Sequence, residues 1–257
     1  MTSLRSLLAL LLAFLAPIPP AQATERVVSL NLCTDQMLVL LAPEQVAGLS
    51  PLARDPALSF VAARAANLPM VRASAEAVMA LHPDLILGAR FGARTTLALL
   101  EQAGLRVERL DLPTDFPGIR TSIQATAALL GVPERAAPLL AAMDATLPPA
   151  GPAIGPPIRA LVWEPRGWTA GPDGLMNAVL RTAGMVNAGS GGRVGLEALL
   201  RHPPDVLVLP EDTAGTSLAT DMLNHPAVRG IPTRAIPTRL TICAGPFTAE
   251  AVARLVR

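Results

Sequence analysis

The stretch Ala75-Glu76-Ala77-Val78-Met79-Ala80-Leu81-His82-Pro83-Asp84-Leu85-Ile86-Leu87 returns, without a gap, as Leu196-Glu197-Ala198-Leu199-Leu200-Arg201-His202-Pro203-Pro204-Asp205-Val206-Leu207-Val208. In each copy a glutamate opens a short helix, where an acid complements the N-terminal dipole. A proline then stops the helix, an aspartate follows, and an apolar run long enough for a buried strand closes the unit. Such residue types are favoured at any helix-to-strand junction. It is their gap-free order that marks one unit used twice, once per lobe.

Working outward, residues 26–30 are a short β-branched run followed by Asn31-Leu32-Cys33-Thr34-Asp35 and an apolar stretch at 37–42, which reads as strand, loop and helix start. Further strands are expected at 45–49, ended by Ser50-Pro51, and at 85–87, ended by Gly88. Beyond the middle, 159–163 reads as a strand and 174–184 as a helix. Residues 235–237 with 241–243 read as a strand region before a final helix at 248–257. Alternation of this kind predicts an α/β fold with parallel sheets and helices on their faces.

Between the copies, residues 133–147 read as a helix, and 148–157 carry proline at a density that suits a stiff linker. At the amino end, Arg5, the apolar run 7–16 and Ala21-Gln22-Ala23 read as a secretory leader cleaved after Ala23. That run is about half the roughly 20 residues a membrane span needs. The expected division is a leader at 1–23, an N-terminal lobe at 24–132, a connecting helix and linker at 133–157, and a C-terminal lobe at 158–257. Removing 23 of the 257 residues leaves 234, enough for two lobes with real cores.

With 21 basic and 20 acidic residues the charge balances, which argues against nucleic acid as a partner. Every basic residue is arginine, and tyrosine is absent. The two cysteines, Cys33 and Cys243, would meet an oxidising compartment after export. A disulfide, a pair of free thiols near the site and inert buried thiols all stay open, since pairing needs Cα atoms within roughly 7 Å.

Taken in order, residues 26–30, the 76–87 unit, Thr169-Ala170-Gly171 with 180–187, the 197–209 unit and the closing stretch 225–246 resemble the helical-backbone, or class III, periplasmic solute-binding proteins. These serve ABC importers of cobalamin, ferric siderophores and haem. The resemblance covers nearly all of the chain after the leader and is specific for the class, much less so for the ligand. It implies two Rossmann-like lobes joined by a single backbone helix, a monomer, a small-molecule metal chelate held between the lobes, and a transmembrane permease as partner. It also implies one docking glutamate per lobe, and Glu76 and Glu197 stand at the matching positions. The chain departs at the backbone helix, where Pro138 removes a hydrogen bond unless it falls in the first turn, so lobe spacing stays open.

Ligands of open parallel sheets bind beyond the carboxyl ends of strands. The post-strand loops there offer Asn31, Cys33, Thr34, Asp35, Arg54, Arg90, Phe91, Arg166, Trp168, Arg239 and Cys243 as ligand-binding residues. The four arginines suit an anionic ferric siderophore, because guanidinium pairs bidentately with anionic oxygens. A corrinoid such as cobalamin would use the aromatic faces of Phe91, Trp163 and Trp168. Ligation of haem through tyrosine is impossible. The three histidines, each before a proline and far apart in sequence, do not form a zinc site, and no cofactor or resident metal is expected. The competing readings are an exported enzyme using Cys33 or Ser190, which lacks a histidine in the predicted cleft loops, a binder of another small solute, and a scaffold.

Overall fold

A computed structural model describes residues 26–149, 156–211, 221 and 225–256. The expected leader and residues 150–155 of the proline-rich stretch lie outside the described residues. In chain order the first half contains β1 (Val27–Ser29), α1 (Leu32–Leu41), β2 (Val46–Gly48), α2 (Ala62–Ala65), α3 (Ala75–Met79), β3 (Leu85–Ala89), α4 (Arg94–Gln102), β4 (Val107–Leu110) and α5 (Phe116–Leu129). A 3-10 turn at Pro133–Arg135 leads into α6 (Ala136–Thr146). The second half contains β5 (Ile158–Val162), β6 (Trp168–Thr169), α7 (Leu175–Thr182), β7 (Met185–Asn187), β8 (Gly192–Arg193), α8 (Leu196–Arg201), β9 (Val206–Pro210), β10 (Thr233–Ile236) and α9 (Thr248–Val256).

Two four-stranded sheets result, ordered β2-β1-β3-β4 and β10-β9-β5-β7, and every pairing in them is parallel. Parallel neighbours need crossovers, which the helices supply on the faces. Successive strand residues point to opposite faces. Val27, Leu85 and Leu87 of the first sheet and Ala160, Val162, Val206 and Val208 of the second therefore feed one apolar core. Leu38 of α1, Ile119 of α5, Met143 of α6, Val179 of α7 and Val252 of α9 complete it, so the inner faces of both lobes share a continuous base. The outer faces are separate: Val28 and Ile86 pack with Val78, Leu97 and Leu100, whereas Leu161 and Leu207 pack with Trp163, Leu199 and Val228. The chain is thus α/β with two Rossmann-like lobes.

The repeated unit recurs down to single hydrogen bonds. Asp84 accepts from the backbone N–H of Arg26 (3.1 Å), and Asp205 accepts from that of Arg159 (2.7 Å). In return the amides of Asp84 and Asp205 donate to the carbonyls of Arg26 and Arg159, each at 2.9 Å. Further along, Leu30 N–H donates to Leu87 and Trp163 N–H to Val208, both at 3.0 Å. Each aspartate therefore clamps the start of the central strand of its own sheet, beside an arginine whose guanidinium caps nearby carbonyls.

Two expectations need adjustment. Residues 241–243 are not a strand: β10 ends before Pro237, which cannot donate to a ladder, and Thr238–Leu240 coils into a 3-10 turn. The helix expected at 133–147 opens with a 3-10 turn, and Pro138 is the third residue of α6, within the first turn where its missing N–H has no intrahelical partner. α6 carries the chain between the sheets, packed on α5 and α9.

Candidate functional site

A disulfide decides which surfaces face each other. Cys33, in the first turn of α1 just past the carboxyl end of β1, is bonded to Cys243, in the loop beyond the carboxyl end of β10, with Cα atoms 5.3 Å apart. The carboxyl ends of the two sheets are thereby held together, the side of parallel sheets on which ligands bind. Beside the bridge, the rings of Phe60 and Phe247 stack at 4.8 Å and 21°, a second contact between the halves. A side chain at Gly245 would meet the Phe247 ring at 2.5 Å, so glycine is needed for the ring to fold back there. The bridge resolves the cysteine alternatives and takes Cys33 out of the nucleophile reading, since a disulfide sulfur has no thiolate.

On the first lobe, Asn31 caps α1. Its side-chain oxygen accepts from Cys33 N–H at 2.9 Å, and its amide nitrogen donates to the Phe91 carbonyl at 3.4 Å. Asn31 thus fixes the turn after β3, where Gly92 (φ 83°) and Ala93 (φ 47°) are both left-handed and Phe91 projects, 73 % exposed. Arg90 beside it is ion-paired with Asp111 at 2.5 Å, both side chains open to water. Such a pair contributes little and can be exchanged for a ligand anion.

Three expected ligand contacts do not face the cleft. Thr34 and Asp35 are fully buried, turned inward by the first turn of α1. The Thr34 hydroxyl sits 2.7 Å from that of Ser29, and Asp35 accepts from the hydroxyl (2.5 Å) and amide (3.3 Å) of Ser50. Burial pushes the Asp35 carboxyl up to about 7, partly offset by hydrogen bonds from Ser29 and Ser50. Arg54 spends its guanidinium on the carbonyls of Ala65 (3.3 Å), the last residue of α2, and Leu68 (2.7 Å), just past it. Trp163 is also withdrawn: it is fully buried and donates to the Val194 carbonyl at 3.1 Å.

On the second lobe, Trp168 is 50 % exposed in a two-residue antiparallel ribbon with β8, opposite Arg193. Arg166 precedes it with φ 63°, and its carbonyl accepts from the Arg193 guanidinium at 3.0 Å. Glu164 opens this turn. Crowding by neighbours pushes its carboxyl above the usual range, although the side chain still reaches solvent. Arg239 is half-buried in the 3-10 turn after β10. Reasoning from sequence passed over Leu52, Leu112 and Ile242, large apolar side chains exposed on the loops after β2, β4 and β10. Their signal was a bulky apolar residue inside a post-strand loop, where polar residues are the norm. Like Phe91 and Trp168, they are large apolar side chains left exposed on post-strand loops. The docking candidates Glu76 and Glu197 are exposed in the first turns of α3 and α8, and Glu197 forms a solvent-exposed ion pair with Arg201.

All three histidines sit in turns that lead into strands: His82 before β3, His202 before β9 and His225 before β10. None stands with Ser190, which is exposed on the loop beyond the carboxyl end of β7. Among the described residues no group of three or more His, Cys, Asp or Glu is placed to hold a metal ion, and no helix is long and apolar enough to cross a membrane.

A family model described as "Periplasmic binding protein" matches residues 27–235. Among solved structures, the chain resembles the apo periplasmic heme-binding protein RhuT from Roseiflexus sp. RS-1, at 25 % identity and TM-score 0.70, over 91 % of this chain and 97 % of that one. It resembles the heme-binding protein BhuT, solved with two hemes, at 27 % identity and TM-score 0.68, over 90 % and 96 %. An ABC-type Fe3+-hydroxamate transport protein from Saccharomonospora viridis shares the fold at 22 % identity and TM-score 0.65, over 90 % and 92 %. No curated protein sequence matches the chain.

Proposed function

Because the chain belongs to the periplasmic binding protein family, we propose that it captures a metal-chelate nutrient between its lobes and delivers it to the permease of an ABC importer. The observation that carries this reading is the joining of the carboxyl ends of the two sheets. Loops from the carboxyl ends of both sheets meet across the disulfide, and they present exposed Phe91, Trp168, Leu52 and Ile242 beside Arg90, Arg166 and Arg239. Large exposed apolar groups rimmed by charge mark binding surfaces rather than ordinary exterior.

Within that class these exposed groups favour a flat tetrapyrrole, a haem or a corrinoid, whose faces need apolar cover and whose edge carboxylates or amides need donors. Heme, the ligand of RhuT and BhuT, is of this kind. A ferric hydroxamate is the second reading. It is favoured by Arg239, half-buried and with no partner among the described residues. Export after cleavage at Ala23, and docking through Glu76 and Glu197, belong to the same proposal.

The test is titration of the protein with hemin, cobalamin and a ferric hydroxamate, followed by quenching of Trp168 and by calorimetry. The parent should bind at least one at micromolar levels. Phe91→Ala or Trp168→Ala should weaken a tetrapyrrole by about tenfold, the order of an aromatic face. Arg239→Ala should instead dominate for a hydroxamate. If none of the three binds, the metal-chelate reading is lost.

A further inference from the structure

We propose that the cleft holds its chelate through the organic periphery, with no imidazole, phenolate or thiolate bond from the protein to the metal; this rests on the metal-chelate reading above. A metal with an open axial position is taken by imidazole, phenolate, thiolate or, less strongly, thioether. Of these, the described residues place no imidazole, phenolate or thiolate where the ligand would sit. Tyrosine is absent from the sequence. Both cysteines are consumed in the bridge. The histidines stand in the turns before β3, β9 and β10, and the Nδ1 of His225 already accepts from the Ala227 amide at 3.2 Å. The sequence joining β9 to His225 adds no histidine, tyrosine or cysteine.

Several further donors among the described residues are engaged elsewhere. Of the described methionines, Met37, Met143 and Met185 are buried in the shared core, Met70 and Met176 pack against it, and Met79 ends α3. Three carboxylates on post-strand loops are engaged, with Asp55 capping the amide of Ala57, Asp111 holding Arg90 and Glu211 pairing with Arg254, while Glu164 in the turn after β5 is exposed. What the cleft does offer is apolar area and guanidinium, the groups that recognise a chelator's plane and its anionic edge.

Protoporphyrin IX and hemin separate the two modes, since they share a periphery and differ in the iron. On the intact parent protein their Kd values should agree within about threefold, and the bound hemin spectrum should show no imidazole, phenolate or thiolate ligand from the protein. Phe91→Ala and Trp168→Ala should weaken both porphyrins in parallel. Binding of a hexadentate ferric hydroxamate but of neither porphyrin also sustains the proposal, because that chelator leaves the metal no open position. Hemin binding about a hundredfold tighter than protoporphyrin IX, with a protein-ligated spectrum, would overturn it while leaving the metal-chelate function standing. Failure of all these probes would remove the function and this inference together.

Discussion

Asp35 is a buried carboxyl with hydroxyl and amide partners and no cation beside it, so its ionisation works against the fold. Its ordinary value of 3.8 rises to about 7 because burial disfavours the charge. Below about pH 4 the carboxyl is neutral in both folded and unfolded chains, and its favourable contribution is fully present. As pH climbs through 7 the folded state must carry a buried anion, and that contribution is lost, to the extent of roughly 4 kcal/mol at most. Asp35→Asn should remove this dependence. Melting of the two proteins at about pH 4, 5.5 and 8 should show the asparagine variant gaining on the parent as pH rises; a gap independent of pH would contradict the assignment. In sequence, Thr34 and Asp35 looked like polar loop residues offered to a ligand, and Arg54 like an anion receptor. The first turn of α1 rotated two of them inward, and carbonyls at the end of α2 consumed the third. That Phe91 and Trp168 would stand exposed was legible, because they fall on post-strand loops with no apolar pattern to bury them.

The repeated helix-to-strand unit was fully readable, since its pattern is local: Glu at the helix start, Pro at its end, Asp before the strand. What sequence hid was its long-range half, the arginines at 26 and 159 whose backbones the two aspartates clamp. Those contacts join residues 58 and 46 positions apart. The same unit puts Glu76 and Glu197 on equivalent, exposed turns of α3 and α8, one per lobe. A helix-end role is worth about 0.3–1 kcal/mol and is screened at the surface. Reversing both to arginine should abolish uptake while ligand affinity stays within about threefold, because exposed charges outside the cleft add little to binding. Equal losses of uptake and affinity would show that the acids serve the cleft, not a permease. The strand β4 and the β6–β8 ribbon were not anticipated, the ribbon because two-residue strands leave no periodicity to read.

For the whole molecule, composition and alternation were enough for two parallel α/β halves, but the cysteine pairing depended on a through-space distance no spacing encodes. That bridge closes a loop of 210 residues. Chain-entropy arguments put its worth at about 5 kcal/mol at most, and the stacked Phe60 and Phe247 would remain to hold the halves without it. Cys33→Ser with Cys243→Ser should lower the urea midpoint clearly and yet leave a folded protein; an unchanged midpoint would mean the thiols are unpaired in solution. Intact mass of the exported protein should begin at Thr24 and fall short of the dithiol form by the two hydrogens lost on oxidation. With just two cysteines in the sequence there is a single way to pair them within one chain. Oxidative folding therefore calls for an oxidant but for no isomerase to undo wrong choices. Its one hazard is timing, since Cys33 is synthesised long before Cys243 and must wait as a bare thiol. The misassembled product to expect under crowded secretion is a covalent dimer through Cys33, not a scrambled monomer.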